Sequence, residues 1–211
     1  MNRMLIFGTS GFAREVADVA WELGYEAIFV ASSALEREQW SSEDPIIVED
    51  ELERYSGEDF AIGIGDNVVR RKVAERYADR LHFPSLIHPT ASFGKGQREP
   101  VLSRRGVIVC AGVRFTNGIA VGDFCIFNLN STVGHDVVVE DFVNVAPGAN
   151  ISGSVRLSEG VLIGTGAAVN QGKDGRMLTV GAGTTVGSGS VVVRDCDPAS
   201  VYVGAPAEKI R

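Results

Sequence analysis

The stretch VRFTNGIAVGDFCIFNLNSTVGHDVVVEDFVNVAPGANISGSVRL, residues 113–157, repeats every six residues. At positions 109, 115, 121 and so on to 169, the chain reads Val, Phe, Val, Phe, Val, Val, Val, Ile, Leu, Ile and Val without exception. A sustained six-residue period indicates a parallel β-helix, because an α-helix repeats every 3.6 residues and a simple strand every 2. Each hexad predicts one short strand and a corner. Three hexads make one coil, so residues three hexads apart stack in the core.

The register of the repeat breaks once, after Val169. The next matching positions are Val180, Val186 and Val192, so extra residues lie within NQGKDGRMLT, residues 170–179. A polar, glycine-containing insertion in a solenoid loops out on one face, often the binding face. Its role here stays open at this stage.

The first part of the chain has a different period. Short apolar segments (RMLIFG, YEAIFVA, PIIV and DFAIGIG) alternate with two segments of helical period, FAREVADVAWELG and NVVRRKVAERYADRL. Asp66 or Asn67 is placed to cap the second helix. Acidic residues are concentrated in this part, whereas the rest is close to neutral. We therefore predict a Rossmann-like α/β domain over residues 1–84, followed by a parallel β-helix over residues 85–211, whose left-handed sense is implied by the family resemblance given below.

The composition excludes several classes of protein. A net charge of -7 and a pI near 5.0 argue against a nucleic-acid or anionic-membrane surface, which needs clustered Lys and Arg. We find no apolar run long enough to span a membrane and no signal peptide, so we expect a cytoplasmic protein. Cys110, Cys125 and Cys196 show no paired spacing. We interpret them as reduced thiols and expect no metal site.

The turn GTSGFA follows the first predicted strand and opens the first helix. Such turns hold phosphate on backbone N–H groups at a helix N-terminus, which makes Gly8, Ser10 and Gly11 candidates. The pattern is not the full G-x-G-x-x-G, and no acidic residue ends the second strand, where residues 31–33 read Ala-Ser-Ser. Glycines are also common in tight turns without a ligand, and both interpretations remain open.

His135 and Asp136 stand side by side at one corner of the repeat. Because Val133 and Val137 occupy interior positions, His135 must point outward. An outward imidazole beside a carboxylate is the pair that a general base needs: one ring nitrogen accepts a proton while the carboxylate fixes the tautomer. The alternative is a solvent-facing corner histidine with an acidic neighbour.

The whole chain resembles the sialic-acid O-acetyltransferase and UDP-amino-sugar N-acetyltransferase family, which are β-helix acyltransferases with an N-terminal nucleotide-binding domain. The resemblance rests on five motifs: GTSGFAREVADVA, AIGIGDNVVRRK, LIHPTA, NLNSTVGHDVVVEDFVNVAPGANISG and VGAPAEKIR. It implies an acetyl-CoA-dependent N-acetyltransferase acting on the amino group of a nucleotide-linked amino-deoxy sugar. It also implies a homotrimer, with acetyl-CoA between adjacent β-helices and active sites between subunits.

The resemblance also implies roles for individual residues. His135 would be the base and Asp136 its orienting partner. Gly153 would donate its N–H to the oxyanion, with Asn144 and Asn128 as polar contacts to the oxyanion or the acceptor. Asn144 stands where relatives often carry a second histidine, and Asn128 alternatively holds a left-handed turn. The nucleotide-sugar set is Gly8, Ser10, Gly11, Asp66, Asn67 and Arg70. The CoA set is Gly153, Lys173, Arg176, Gly204, Pro206 and Lys209.

Two departures from the family pattern leave the sugar and the nucleotide open. Phe12 replaces the histidine that is common in the glycine-rich turn, and the usual acidic residue after the second strand is missing. The same dyad could O-acetylate a sialic-acid-like hydroxyl, and a non-catalytic sugar-nucleotide-binding scaffold is the alternative of another class. A γ-type carbonic anhydrase needs three histidines around a metal, but we expect His135 to be the only histidine in the repeat, with His82 and His88 near the junction. No nucleophile for a covalent acyl-enzyme is evident, which favours direct attack.

Overall fold

A four-stranded parallel sheet with helices forms the first part of the computed structural model, which describes residues 2–211. Its elements in chain order are β1 (Asn2–Phe7), α1 (Gly11–Glu22), β2 (Tyr25–Ala31), α2 (Ala34–Glu38), β3 (Ile46–Val48), a 3₁₀ helix (Glu49–Tyr55), β4 (Asp59–Ile62) and α3 (Asn67–Tyr77). The strand order is β3-β2-β1-β4. The strands that follow β1 are therefore added first on one side of it (β2 and β3) and then on the other (β4). Folds of this kind bind ligands at such a switch point, at the carboxyl ends of the strands.

The predicted helix signals of this layer are confirmed. Gly24, with a φ of 84°, ends the first helix in the left-handed region that glycine adopts without strain. The carboxylate of Asp66 caps α3 by accepting from the backbone N–H groups of Val68 and Val69, both at 2.9 Å. The short α2, the 3₁₀ helix and a later helix, α4 (Arg98–Leu102), were not predicted.

Three parallel sheets form the β-helix, as the hexads predict. The first sheet contains β5 (Leu86–Ile87), β7 (Ile108–Val109), β10 (Ile126–Phe127), β13 (Asn144–Val145), β16 (Leu162–Ile163), β19 (Thr185–Val186), β21 (Val201–Val203) and, antiparallel at its end, β22 (Glu208–Lys209). The second contains β6 (Ser92–Phe93), β8 (Arg114–Phe115), β11 (Thr132–Val133), β14 (Asn150–Ile151), β17 (Ala168–Val169) and β20 (Val191–Val192). The third contains β9 (Ala120–Val121), β12 (Val138–Val139), β15 (Val155–Leu157) and β18 (Leu178–Val180).

Residues 18 apart pair in register through the repeat. Phe127, for example, pairs with Val109 on one side and Val145 on the other, and Ile163 continues the column. The interior positions are buried, Val121 only partly, and together they form one continuous apolar core. The third sheet begins one coil late, because α4 stands before β9 and places Val101 in the same core.

The α/β layer packs on the outer face of the first sheet. Leu86, Ile108 and Ile126 point away from the β-helix core and join Met4 and Ile6 in a second buried cluster. The two parts are thus held by an apolar interface at the lower coils of the first sheet. Along residues 2–211, the longest helix, α1, has 12 residues, and no helix has the length and apolarity needed to cross a bilayer.

Candidate active site

One corner of the β-helix, between the second and third sheets, carries the predicted base. Its residues stack coil upon coil: 117–118, 135–136, 153–154, the loop 170–177, and 193–195. Backbone hydrogen bonds tie successive levels, from Asp136 N to Asn117 O at 3.0 Å and from Ser154 N to His135 O at 2.8 Å. We call this column the His135 edge. It lies on the side of the three-sided helix opposite the first sheet.

His135 and Asp136 form a hydrogen-bonded pair on this edge. His135 Nδ1 lies 2.8 Å from Asp136 Oδ2, and both side chains are about half or more exposed. The chain turns at Asp136, whose φ of 58° lies in the left-handed region that aspartate tolerates better than most residues. Because Nδ1 faces the carboxylate, Nε2 is the ring nitrogen left to accept a proton from a substrate.

Gly153 lies one coil further along the edge, against the imidazole. A Cβ at this position would stand 2.4 Å from His135 Nε2 and Cε1, so only a residue without a side chain fits beside the ring. Among residues 2–211, the Gly153 N–H has no hydrogen-bond acceptor, whereas its carbonyl accepts from Gly172 N at 3.1 Å. A free backbone N–H next to the base is the arrangement that can stabilise an oxyanion.

Asn144 and Asn128 do not lie on the His135 edge. Asn144 is on β13 in the first sheet, nine-tenths buried, and its Nδ2 donates to Gly65 O at 2.9 Å. Its Oδ1 is buried without a partner in the part of the chain that the structure describes. One of its two amide N–H groups is thus engaged, and Oδ1 remains as an acceptor. Asn128 lies at the corner of the first and second sheets and accepts from Leu129 N at 2.7 Å. The left-handed residue of that turn is Asn130, with a φ of 56°.

Arg70 and Asn67, which were predicted to bind the nucleotide, hold the two parts of the protein together. Arg70 is 1 % exposed, and its five N–H groups donate to Ile64 O, Gly65 O, Asn67 Oδ1, Phe124 O and Phe142 O. Burial lowers the pKa of Arg70 to about 10, so it stays charged at neutral pH. The amide of Asn67 donates to Gly160 O at 2.8 Å. Neither side chain has a donor left for a phosphate.

The glycine-rich turn borders a cavity of about 270 Å³ at the carboxyl ends of the strands. Gly8 adopts a φ of 108°, and Gly8 and Ser10 line the cavity. Gly11 begins α1, and a Cβ there would meet open space. The cavity lies beside the point where the strand order reverses, so the turn has the geometry predicted for a phosphate-binding site.

A second cavity, of about 650 Å³, lies at the upper end of the His135 edge. The loop 170–177 forms one wall and Val193, Arg194 and Asp195 the other. Arg176 lies 3.8 Å from Asp195, whereas Lys173 forms no ion pair with residues 2–211. The insertion in the repeat thus forms a wall of mixed charge near the base, where Asp174 stands between the two cations and Lys173 has no ionic partner in the described chain.

The C-terminal segment reaches the rim of this cavity. Gly204, with a φ of 97°, precedes the cis Ala205–Pro206 bond, and the chain then pairs β22 with β21. Glu208 forms an ion pair with Arg194 of the cavity wall. Lys209 lies 3.0 Å from Asp197. The tail is therefore tied to the cavity wall through Arg194, and Lys209 already has an anionic partner.

The three histidines lie apart. His82 pairs with Asp59 at the junction, and His135 lies on its edge. His88 follows β5 and so belongs to the first coil of the β-helix, which corrects the prediction that His135 is the repeat's only histidine. Residues 2–211 contain no cluster of His, Cys, Asp or Glu side chains placed to bind a metal ion.

Known proteins are similar to this chain along its whole length. Residues 3–77 match the family model of the PglD N-terminal domain. The chain is 27% identical to GDP-perosamine N-acetyltransferase from Escherichia coli O157:H7, over 86% of this chain and 84% of that one. It is 32% identical to the acetyltransferase domain of PglB from Neisseria gonorrhoeae FA1090 in complex with acetyl coenzyme A, with full coverage of both and a TM-score of 0.84. PerB from Caulobacter crescentus in complex with CoA and GDP-perosamine gives 27% identity, coverage of 100% and 98%, and a TM-score of 0.84.

The chain belongs to the UDP-amino-sugar N-acetyltransferase family.

The predicted fold class is thereby confirmed: an α/β domain followed by a left-handed parallel β-helix. Like other members of the UDP-amino-sugar N-acetyltransferase family, the chain is an acyl-CoA-dependent acetyltransferase with acetyl-CoA as its co-substrate.

Sequence reasoning missed one side chain at the cavity beside the glycine-rich turn. Glu36, in the first turn of α2, contacts Thr9 and lines that cavity. The sequence Ser33-Ala-Leu-Glu36 is a capping-box pattern, and Ser33 Oγ does accept from Glu36 N at 3.2 Å. That pattern could have revealed both the helix and its acid.

Proposed function

We propose that the protein transfers the acetyl group of acetyl-CoA to the amino group of a nucleotide-linked amino-deoxy sugar. The relatives named for GDP-perosamine N-acetylation support the acceptor class. The observation that carries the proposal is the His135–Asp136 pair beside the unpartnered Gly153 N–H, on the same edge as the cavity formed by the loop 170–177. Cytoplasmic placement remains part of the prediction.

In the proposed reaction, the sugar amine attacks the thioester carbonyl directly. His135 Nε2 takes the proton that the amine loses as the nitrogen–carbon bond forms, and Asp136 stabilises the imidazolium through Nδ1. The Gly153 N–H donates to the oxyanion. When the carbon–sulfur bond breaks, the CoA thiolate leaves and His135 returns the proton to it. The products are the amide and free CoA.

The three cysteines do not supply a covalent route. Cys110, Cys125 and Cys196 are buried and unpaired. Burial raises the pKa of Cys110 and of Cys125 to about 12, and that of Cys196 to about 11. A thiol is nucleophilic as its thiolate, so these groups are unreactive at neutral pH. This supports direct transfer within a ternary complex.

The acceptor and the base come from different protomers in this proposal. The α/β layer covers the first sheet, whereas the His135 edge lies on the opposite side of the same β-helix. A sugar attached to a nucleotide in the α/β layer therefore cannot reach His135 of its own protomer. A closed homotrimer would place the edge of one protomer against the first sheet of the next.

Asn144 fits this arrangement as a contact to the acceptor. It lies in the first sheet beside Gly65, where the α/β layer and the β-helix meet. Its buried Oδ1 lacks a partner in the described chain, and a buried polar atom without a hydrogen bond costs about 1–3 kcal/mol. An amino or hydroxyl group of the sugar would satisfy it.

The activity assay measures thiol release from acetyl-CoA with GDP- and UDP-linked 4-amino-4,6-dideoxy sugars as acceptors. We expect turnover with at least one of them, and a loss of about 10²–10⁴-fold in kcat for His135→Ala. His88→Ala is the matched control, because this partly buried histidine lies at another corner, where its ring contacts Thr90, and its loss should leave kcat unchanged. Equal turnover in wild type and His135→Ala would refute the assignment of the base. Turnover with sialic acid alone would move the proposal to O-acetylation.

A further inference from the structure

Two glycines flank the His135–Asp136 pair along the His135 edge. Gly153 stands 18 residues after His135, and Gly118 stands 18 residues before Asp136, so each lies one coil away from its partner. Gly153 leaves room for the imidazole. Gly118 stands in the same relation to the carboxylate, because a Cβ there would lie 2.8 Å from Asp136 Oδ1 and 3.8 Å from Asp136 Cγ. The base and its partner thus lie between two residues without side chains.

The backbone conformation alone does not explain a glycine at position 118. Its φ of 68° is left-handed, a conformation that glycine adopts without strain. The same corner is also left-handed in the next two coils, at Asp136 with a φ of 58° and at Ser154 with a φ of 54°, and neither residue is a glycine. This corner of the chain therefore tolerates a side chain. Position 118 differs because a carboxylate oxygen lies over it.

The carboxylate of Asp136 lies mostly in solvent. Its side chain is 65% exposed, and its Oδ2 faces His135 Nδ1 at 2.8 Å. A short exposed side chain can rotate, so the alignment of Oδ2 with the ring depends on the place that is available to Oδ1. That place is over the backbone of Gly118. A methyl group at position 118 would push the carboxylate out of its present position.

We propose that Gly118 is a positioning residue of the acetyltransferase, which acts through Asp136 by leaving the carboxylate room to align with His135 Nδ1. The inference rests on the proposed function, because it concerns the base of that reaction. Its consequence is a defined tautomer. With the carboxylate aligned, the proton of the neutral ring stays on Nδ1, and Nε2 is free to accept the proton of the sugar amine.

Gly118→Ala tests this role, and Gly96→Ala is its matched control. Gly96 occupies the same corner one coil below, with a φ of 74°, but a Cβ there would meet no atom within 4 Å. Both changes place an alanine in left-handed backbone, and only the first displaces the carboxylate. We expect kcat to fall about 10- to 100-fold in Gly118→Ala, because misplacing a catalytic group by about 1 Å can cost about 10²-fold. Gly96→Ala should keep the wild-type kcat.

The same substitution in an Asp136→Ala background separates a positioning role from a structural one. Without the carboxylate, Gly118→Ala has nothing to displace, so the double variant should have the kcat of Asp136→Ala alone. A further loss of kcat in the double variant would overturn the proposal, because Gly118 would then act through something other than Asp136. Equal kcat values for Gly118→Ala and Gly96→Ala would also overturn it.

Nitrogen-15 NMR of the imidazole rings adds a measurement that needs no substrate. It is made on the full-length protein at about pH 9, where an imidazole is neutral, and the His135 signals are assigned by their loss in His135→Ala. We expect the proton on Nδ1 in wild type and in Gly96→Ala, and a shift of the proton towards Nε2 in Gly118→Ala.

The outcomes separate the two proposals. An unchanged tautomer in Gly118→Ala, with the variant folded by circular dichroism, overturns the role of Gly118 and leaves the acetyl-transfer proposal standing. Equal turnover in wild type and His135→Ala overturns the proposed base and this inference with it.

Discussion

At the residue scale, the site depends on the contact between a histidine ring and a glycine. His135 can point outward because its neighbours in the hexad point inward, and the absence of a side chain at Gly153 leaves space for the imidazole. The same glycine supplies the unpartnered N–H. In the proposed mechanism, one residue therefore serves both the placement of the base and the stabilisation of the oxyanion.

Gly153→Ala is predicted to inactivate the enzyme while leaving it folded. The added methyl group would stand 2.4 Å from His135 Nε2, so the ring must turn away from its present position. We expect kcat to fall by about 10²–10⁴-fold, the usual contribution of a general base. Overpacking should cost only about 1–3 kcal/mol of unfolding free energy. Kinetics and denaturant unfolding measure the two effects separately.

Gly57→Ala is the control for this substitution. A Cβ at Gly57 meets no atom within 4 Å, so both kcat and stability should stay at the wild-type level. If Gly153→Ala kept wild-type kcat, the imidazole would not need its present position, and the proposed geometry would fail.

The positions of individual side chains could be predicted where the six-residue repeat determines whether they point into the core or outward. The hexad register was enough to place His135 outward and Gly153 one coil away. It could not reveal that the side chains of Arg70 and Asn67 donate hydrogen bonds to the β-helix. Their acceptors, the carbonyl groups of Phe124, Phe142 and Gly160, lie far along the chain. A polar residue on a helix looks the same in sequence whether it binds a ligand or another domain.

At the scale of elements, the insertion that breaks the repeat lies on the His135 edge. The inserted residues loop out from the corner after β17, and the chain rejoins the β-helix at β18. The loop lies directly above Gly153 in the same column. Its cavity brings Lys173 close to the path that a pantetheine arm would follow from His135. The phosphates of CoA need cations or N–H groups, and Lys173 is without an ionic partner in the described chain.

Lys173→Ala is predicted to weaken acetyl-CoA binding specifically. Loss of one exposed cation should raise the KM for acetyl-CoA by about 3- to 10-fold at low salt, with kcat nearly unchanged. S-acetyl-N-acetylcysteamine, a thioester without phosphates, should show the same KM in both proteins. Steady-state kinetics with the two donors measures this. A similar rise in KM for both donors would mean that Lys173 does not bind a phosphate.

The strands of the repeat could be predicted because the apolar residue at every sixth position recurs many times along the chain. The short helices α2 and α4 gave weaker signals, since five residues hold barely one turn of apolar period. The α4 segment replaces a strand of the third sheet, so the hexad pattern simply starts later than the β-helix does. Packing of Val101 into the core decides that structure, and no local pattern shows it.

At the scale of the whole molecule, the two parts of the proposed active site lie on opposite sides of the β-helix. The cavity at the glycine-rich turn belongs to the layer on the first sheet, and His135 lies on the opposite edge. Sequence patterns could predict the two domains but not this orientation, because it depends on which outer face of the β-helix is apolar. The orientation is the physical reason to expect sites shared between protomers of 22.5 kDa.

Subunit complementation tests the central claim most directly, because it asks whether catalysis pairs His135 of one protomer with the nucleotide layer of another. The two inactive parents are His135→Ala and Gly11→Glu. The second change enters open space and adds a negative charge at the phosphate-binding turn, so it should block the nucleotide without unfolding the chain. The parents are mixed after dissociation in mild denaturant, reassembled, and assayed for thiol release from acetyl-CoA.

Random reassembly of a trimer with shared sites should restore about a quarter of wild-type activity, since each site then draws a sound His135 and a sound α/β layer independently. Each parent reassembled alone should remain inactive. Activity of the mixture no higher than that of the parents, with mixed trimers verified by mass spectrometry, would contradict a site shared between protomers.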